Sequence, residues 1–75
     1  MRLPLALAKP GDAVVVDIVA GRQASIRLAE MGIRQGKKIR IIDSQGPVLI
    51  TVNGTKYVLG RGLAMKVIVD VKEKN

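Results

Sequence analysis

The sequence predicts a mainly β domain: a small, partly open five-stranded barrel, with one short α-helix between strands 1 and 2 and a helical turn before the last strand. Three observations carry this. Hydrophobic residues make up 48% of the 75 residues while Tyr57 is the only aromatic, so the interior must be filled by Val, Ile and Leu, and the β-branched pair favours strands. Asn53-Gly54 between two apolar runs is the strongest short-range hairpin signal in the chain. Arg27-Leu-Ala-Glu-Met-Gly-Ile-Arg-Gln-Gly36 spells out a helix, its stop and a following turn. Five separate strands would present exposed edges, which closure into a barrel reduces.

The elements follow in order. Residues 3–12 form an apolar lead-in expected to dock through Leu5 and Leu7, ending at the turn signal Lys9-Pro10-Gly11-Asp12. Residues 13–20 are β-branched at five of eight positions, and alternation places Val14, Val16 and Ile18 on one face with Asp17 on the other. Gly21 breaks this strand. A helix over residues 23–31 follows, with Ala24, Leu28 and Met31 in a narrow apolar stripe. Gly32 then sits where a helix ends left-handed, making Ile33 and Leu28 the apolar pair that meets in a Schellman-type stop.

Residues 37–44 read as a strand with Ile39 and Ile41 on one face and Lys38, Arg40 and Ile42 on the other. The two-residue turn Asn53-Gly54 demands positive φ and fixes a type I′ hairpin between residues 48–52 and 55–59. Its register opposes Val52 with Thr55, Ile50 with Tyr57 and Val48 with Leu59, and pairs Thr51 with Lys56 on the other face. Gly60-Arg61-Gly62-Leu63-Ala64-Met65 suits a single helical turn. Val67, Val69 and Val71 continue as the last strand, and residues 72–75 are expected to fray.

Composition narrows the chemistry. The chain has no Cys and no His, which removes disulfides, thiol nucleophiles, imidazole bases and the usual ligands of transition metals. Its six carboxylates include Asp12, Asp17, Asp43 and Asp70 in separate elements, so no metal site is expected; Ser25 and Ser44 have no His partner, so neither is catalysis. Gly60-Arg61-Gly62 matches neither phosphate-loop pattern, and no cofactor site is expected. The apolar run of residues 3–8 is shorter than the roughly 7 to 15 residues of a signal-peptide core, and nothing approaches the ~20 apolar residues of a membrane span. A reducing, cytoplasmic setting is the simpler expectation.

A chain of this length suits one domain, residues 1–75, and buries only about 60 to 65% of the surface its unfolded form exposes, so self-association is one route to added stability. The formal charge is +7, from 13 Lys and Arg against 6 Asp and Glu. That favours anionic partners: an acidic protein surface, a lipid face or nucleic acid. Arg22, Arg27, Arg34, Lys37, Lys38 and Arg40 bracket the helix end and the second strand. Val15, Val19, Ile42, Leu49, Val58 and Ile68 fall on the other face of their strands and exceed what a monomer's outer surface requires.

Four ordered segments also carry a resemblance: Lys9-Pro10-Gly11 before the first strand; Arg27-Leu28-Ala29-Glu30-Met31-Gly32-Ile33 with Gly36; Gly46-Pro47 before the hairpin; and Leu59-Gly60-Arg61-Gly62-Leu63-Ala64 before the last strand. In these the chain resembles the FeoA family of small SH3-like barrels that accompany the ferrous iron transporter FeoB. The family is also similar to the C-terminal SH3-like domain of iron- and manganese-dependent repressors, whose winged helix has no room here. The link from Asp43 to Pro47 is shorter than the insertion many family members carry.

The resemblance implies a non-enzymatic, cytoplasmic accessory of ferrous iron uptake at the inner face of the cell membrane. Its implied partner is the cytoplasmic part of a FeoB-type transporter, through which alone it would meet the membrane. Transition-metal binding is a family-level attribute for which no residue here is assigned. Partner contact is expected around Arg27, Glu30, Arg34, Lys37, Lys38 and Arg61. Two alternatives stay open: a basic nucleic-acid-binding barrel, disfavoured because Tyr57 is the only stacking platform, and an oligomeric structural adaptor.

Overall fold

The structure, a computed structural model, describes residues 1–72, so the expectation of a fraying tail lies largely outside the described residues. Its elements are β1 (Arg2–Pro4), a 3₁₀ turn (Leu5–Leu7), β2 (Gly11–Ile18), α1 (Arg22–Glu30), β3 (Lys38–Asp43), β4 (Val48–Val52), β5 (Thr55–Leu59), α2 (Arg61–Ala64) and β6 (Val67–Val71). One antiparallel sheet in the order β1-β6-β2-β3-β4-β5 wraps a single apolar core.

The hairpin forms as the turn dictates. Asn53 has φ +52° and Gly54 φ +80°, and the opposed pairs are Val52/Thr55, Thr51/Lys56, Ile50/Tyr57 and Val48/Leu59. Strand β3 alternates as expected, with Ile39 and Ile41 buried and Lys38, Arg40 and Ile42 exposed. The segment before the last strand is the single helical turn α2.

Three expectations change. A sixth strand, β1, pairs with β6 through Arg2/Asp70, Leu3/Val69 and Pro4/Ile68. It is only three residues long and ends on a proline, which an edge strand tolerates but which hides the strand from periodicity. In the lead-in Leu5 is fully buried but Leu7 is 57% exposed. The tight 3₁₀ period of three turns Leu5 and Ala8 inward together and leaves Leu7 outside.

The third change is the phase of β2. Ala13 and Val15 face the core, whereas Val14, Val16 and Ile18 are half-buried and Asp17 is exposed. A bulge between Val15 and Asp17, against Val69 and Ile68 of β6, then shifts the phase so that Ile18 packs on the core's rim. An unbroken run of valines fits either phase, and this strand lies between two neighbours, β6 and β3. Of the other apolar residues expected outside the core, Val19, Ile42 and Val58 are exposed, while Leu49 and Ile68 are half-buried.

Candidate functional site

Helix α1 starts without an acidic residue in its first turn: Gly21 is an extended N-cap and Arg22 follows. It is held to the core chiefly by Leu28, which is fully buried, with Met31 packed beside it. Its C-terminus is closed by two hydrogen bonds of the Schellman pattern. The Gly32 N–H donates to the Ala29 carbonyl and the Ile33 N–H to the Leu28 carbonyl, both at 2.9 Å. Gly32 has φ +82°, and a Cβ there would stand 3.3 Å from Val52 Cγ1, so both conformation and space call for glycine. Ile33, like Leu28, is fully buried, so the expected apolar clasp is present.

The chain beyond the clasp is pinned rather than loose. The Lys37 N–H donates to the Arg34 carbonyl at 3.0 Å, the Gly36 N–H to the Val15 carbonyl at 2.7 Å, and the Val15 N–H to the Lys37 carbonyl at 2.9 Å. The turn that carries Arg34 and Lys37 is thereby bolted to β2. Arg27, Glu30 and Arg34 are exposed and Lys37 is half-buried; among the described residues none of their side chains makes an ion pair or a hydrogen bond. Arg27 lies in the last helical turn, where a cation also complements the partial negative charge of the C-terminal carbonyls. The fold therefore places four of the six expected contact residues on one helix end and the braced turn after it.

Lys38 lies elsewhere, on the outer face of the sheet opposite Val14. It lines a shallow groove of about 440 Å³ together with Asp12, Arg40, Thr51 and Asp70. Within that groove Arg40 is paired with Asp12 at 3.3 Å, while Asp70 approaches Arg2, which lies outside it, at 4.0 Å. Among the described residues no three His, Cys, Asp or Glu side chains gather as metal ligands would. The outward alternation of β3 already pointed to Lys38 and Arg40 as neighbours; the groove itself depends on how the sheet curls, which no local pattern encodes.

Arg61 has a different role from that of an unengaged surface cation. Its guanidinium donates to three backbone carbonyls: Ser44 at 2.6 Å, Gly46 at 3.0 Å and Ala6 at 2.7 Å. It ties the short β3–β4 link to the 3₁₀ turn at the corner where α2 begins. Ser44 reinforces the same junction by donating its hydroxyl to the Ala8 carbonyl. Sequence reasoning missed this clamp because its acceptors are main-chain groups from distant segments. The one cue was an arginine between two glycines beside an unusually short link.

The sequence matches the family model for the FeoA domain over residues 3–71. It is 49% identical over 72 residues to a Methanocaldococcus jannaschii protein provisionally named Fe(2+) transport protein A, covering 93% of this chain and 88% of that one. A crystal structure of an iron uptake regulatory protein (FeoA) superimposes with a TM-score of 0.85 at 39% identity, covering 93% of this chain and 96% of that one. The T. acidophilum IdeR structure matches with a TM-score of 0.84 at 25% identity, covering 95% of this chain but 34% of that one. The barrel is thus of the SH3-like kind found in FeoA structures.

Proposed function

This chain belongs to the FeoA family, and we propose that it is a non-enzymatic accessory of ferrous iron uptake that docks on the cytoplasmic part of a FeoB-type transporter. The surface proposed for docking is the C-terminal end of α1 and the turn after it: Arg27, Glu30, Arg34 and Lys37, without Lys38, which lines the groove on the sheet. The observation that carries the reading is that three cations, Arg27, Arg34 and Lys37, are held on a hydrogen-bonded helix end and turn while making no ion pair among the described residues. Charges so placed steer an acidic partner and set its register more than they stabilise the fold. Arg61 is left out of the surface, because its guanidinium already serves three carbonyls.

Family membership supports the role in ferrous iron transport, and the residue chemistry supports a binding role rather than a catalytic one. No His or Cys is present to act as base, nucleophile or soft metal ligand. The cargo ion is accordingly handled by the transporter, and this chain acts on the transporter's cytoplasmic part. Among the described residues no helix is long and apolar enough to cross a membrane. Titration of the protein against the transporter's cytoplasmic domain at low and at moderate salt tests the proposal. Saturable binding that weakens with salt and with Arg34→Glu supports it, and no binding at either salt ends it.

A further inference from the structure

We propose that the outer edge of β5 accepts an extended segment of another protein as an added antiparallel strand, with an acidic side chain opposite Lys56 and an apolar one opposite Val58. The sheet has two edge strands, β1 and β5, and they are not alike. Strand β1 has three residues and ends in Pro4, the usual means of blunting an edge. Strand β5 has five residues, no proline, and pairs with β4 through five consecutive positions without a register shift. It is a straight template left open on one side.

The hairpin turn determines which groups are open. In a two-residue type I′ hairpin the residues flanking the turn exchange both backbone hydrogen bonds, and the pattern alternates from there. Val52/Thr55, Ile50/Tyr57 and Val48/Leu59 are therefore the bonded pairs. Lys56 and Val58 lie between them and direct their N–H and C=O groups away from β4. Among the described residues β5 pairs with β4 alone, and no turn, loop or side-chain hydrogen bond reaches any of these four. An antiparallel strand aligned on Lys56 and Val58 would satisfy all four at once.

The side chains specify the strand's chemistry. Lys56 and Val58 share the outer face, and both are exposed, Val58 at 66%. Val58 sits opposite the half-buried Leu49, so an apolar side chain laid beside it would extend that row. Lys56 continues a row from Arg40 and Thr51, but Arg40 is already paired with Asp12 while Lys56 makes no ion pair among the described residues. A carboxylate on the incoming strand completes the row. Because the two positions are two residues apart on an antiparallel partner, the segment reads, from its N-terminus, apolar, any residue, acidic.

A second copy of this chain fits poorly. Strand β5 contains no carboxylate to face Lys56, and self-pairing would bring two chains of charge +7 together. The site shares no residue with the α1 surface, so it is tested apart from the proposed docking on the transporter.

The test uses the full isotope-labelled chain and a capped heptapeptide of threonines with one valine and, two residues later, one glutamate. On adding about 1 mM peptide, hydrogen exchange at the Lys56 and Val58 amides should slow while the α1 amides stay unchanged. Replacing the peptide's glutamate by lysine, or making Lys56→Glu in the protein, should weaken binding about fivefold or more at low salt. Val58→Pro removes an outward N–H that the fold does not use and should abolish binding, with protection at Ile50 and Tyr57 showing that the hairpin persists; Val58→Thr should retain it. Arg34→Glu should leave it intact. Three outcomes would overturn the proposal: no protection at this concentration, equal response to the glutamate and lysine peptides, or protection that appears without peptide and grows with protein concentration, which would identify a second copy instead.

Discussion

Removing the Arg61 guanidinium should destabilise this protein more than its exposed position suggests. The side chain makes three hydrogen bonds to carbonyls of two segments far away in sequence, joining residues 6, 44 and 46 to residue 61. A hydrogen bond to a charged group contributes about 1.5 to 3 kcal/mol net when sheltered, and the bond to the part-buried Ala6 carbonyl belongs at the low end of that range. The two at the exposed rim contribute about 0.5 kcal/mol each, the low end for any intramolecular hydrogen bond. Arg61→Ala should therefore cost about 2 to 3 kcal/mol, which in a domain of this size lowers Tm by roughly 10 to 20 °C. Arg61→Lys separates charge from geometry: the ammonium keeps the charge but cannot present a planar fork to several acceptors, so it should recover less than half of the loss. Thermal unfolding followed by circular dichroism at fixed salt reads both variants. An alanine variant within about 3 °C of the parent, or a lysine variant indistinguishable from it, would refute the clamp.

Further outcomes follow from the same geometry. Gly32→Ala forces a Cβ into a left-handed residue and against Val52, so it should cost at least about 1 to 2 kcal/mol, read as a lower denaturation midpoint with unchanged m-value. Leu28→Ala empties a fully buried position that anchors α1 and should cost roughly 2 to 5 kcal/mol, whereas Leu28→Met should cost less than about 1.5 kcal/mol; a mild alanine variant would mean that the helix is not held there. Arg34→Glu, at an exposed side chain that makes no ion pair among the described residues, should change stability by no more than about 0.5 kcal/mol while weakening an acidic partner; unfolding would contradict its placement.

The elements that were legible in the sequence are those whose determinants are local. Asn53-Gly54 fixed both a turn and a register, because positive φ at two successive residues admits few alternatives. Gly32 marked the end of α1 for the same steric reason, and the strict alternation of β3 told its faces apart. Strand β2 was readable as a strand but not in phase, since Val14, Val15 and Val16 are equally apolar and the bulge that resets the pattern depends on the pairing with β6. The short strand β1 and the outward turn of Leu7 depend in the same way on what the chain meets after folding.

The candidate site divides along the same line. Arg27, Glu30, Arg34 and Lys37 lie close in sequence, but only the hydrogen bonds from Val15 and Gly36 show that the turn bearing Arg34 and Lys37 is braced. Lys38 proved to belong to the groove on the outer sheet face, and Arg61 to the architecture of the corner. Helix packing accounts for the apolar half of the Arg27-to-Gly36 signature. Its charged half is what a partner is left to explain.

The contact proposed for this charged half is with an acidic surface on the transporter's cytoplasmic domain. Isothermal titration of that domain with the parent protein and with the double variant Arg34→Glu and Lys37→Glu, at equal thermal stability, tests it most directly. The parent should bind saturably and more weakly as salt rises, and the double variant should lose most of that affinity. Binding undiminished by the charge reversals, or none by the parent at low salt, would contradict it.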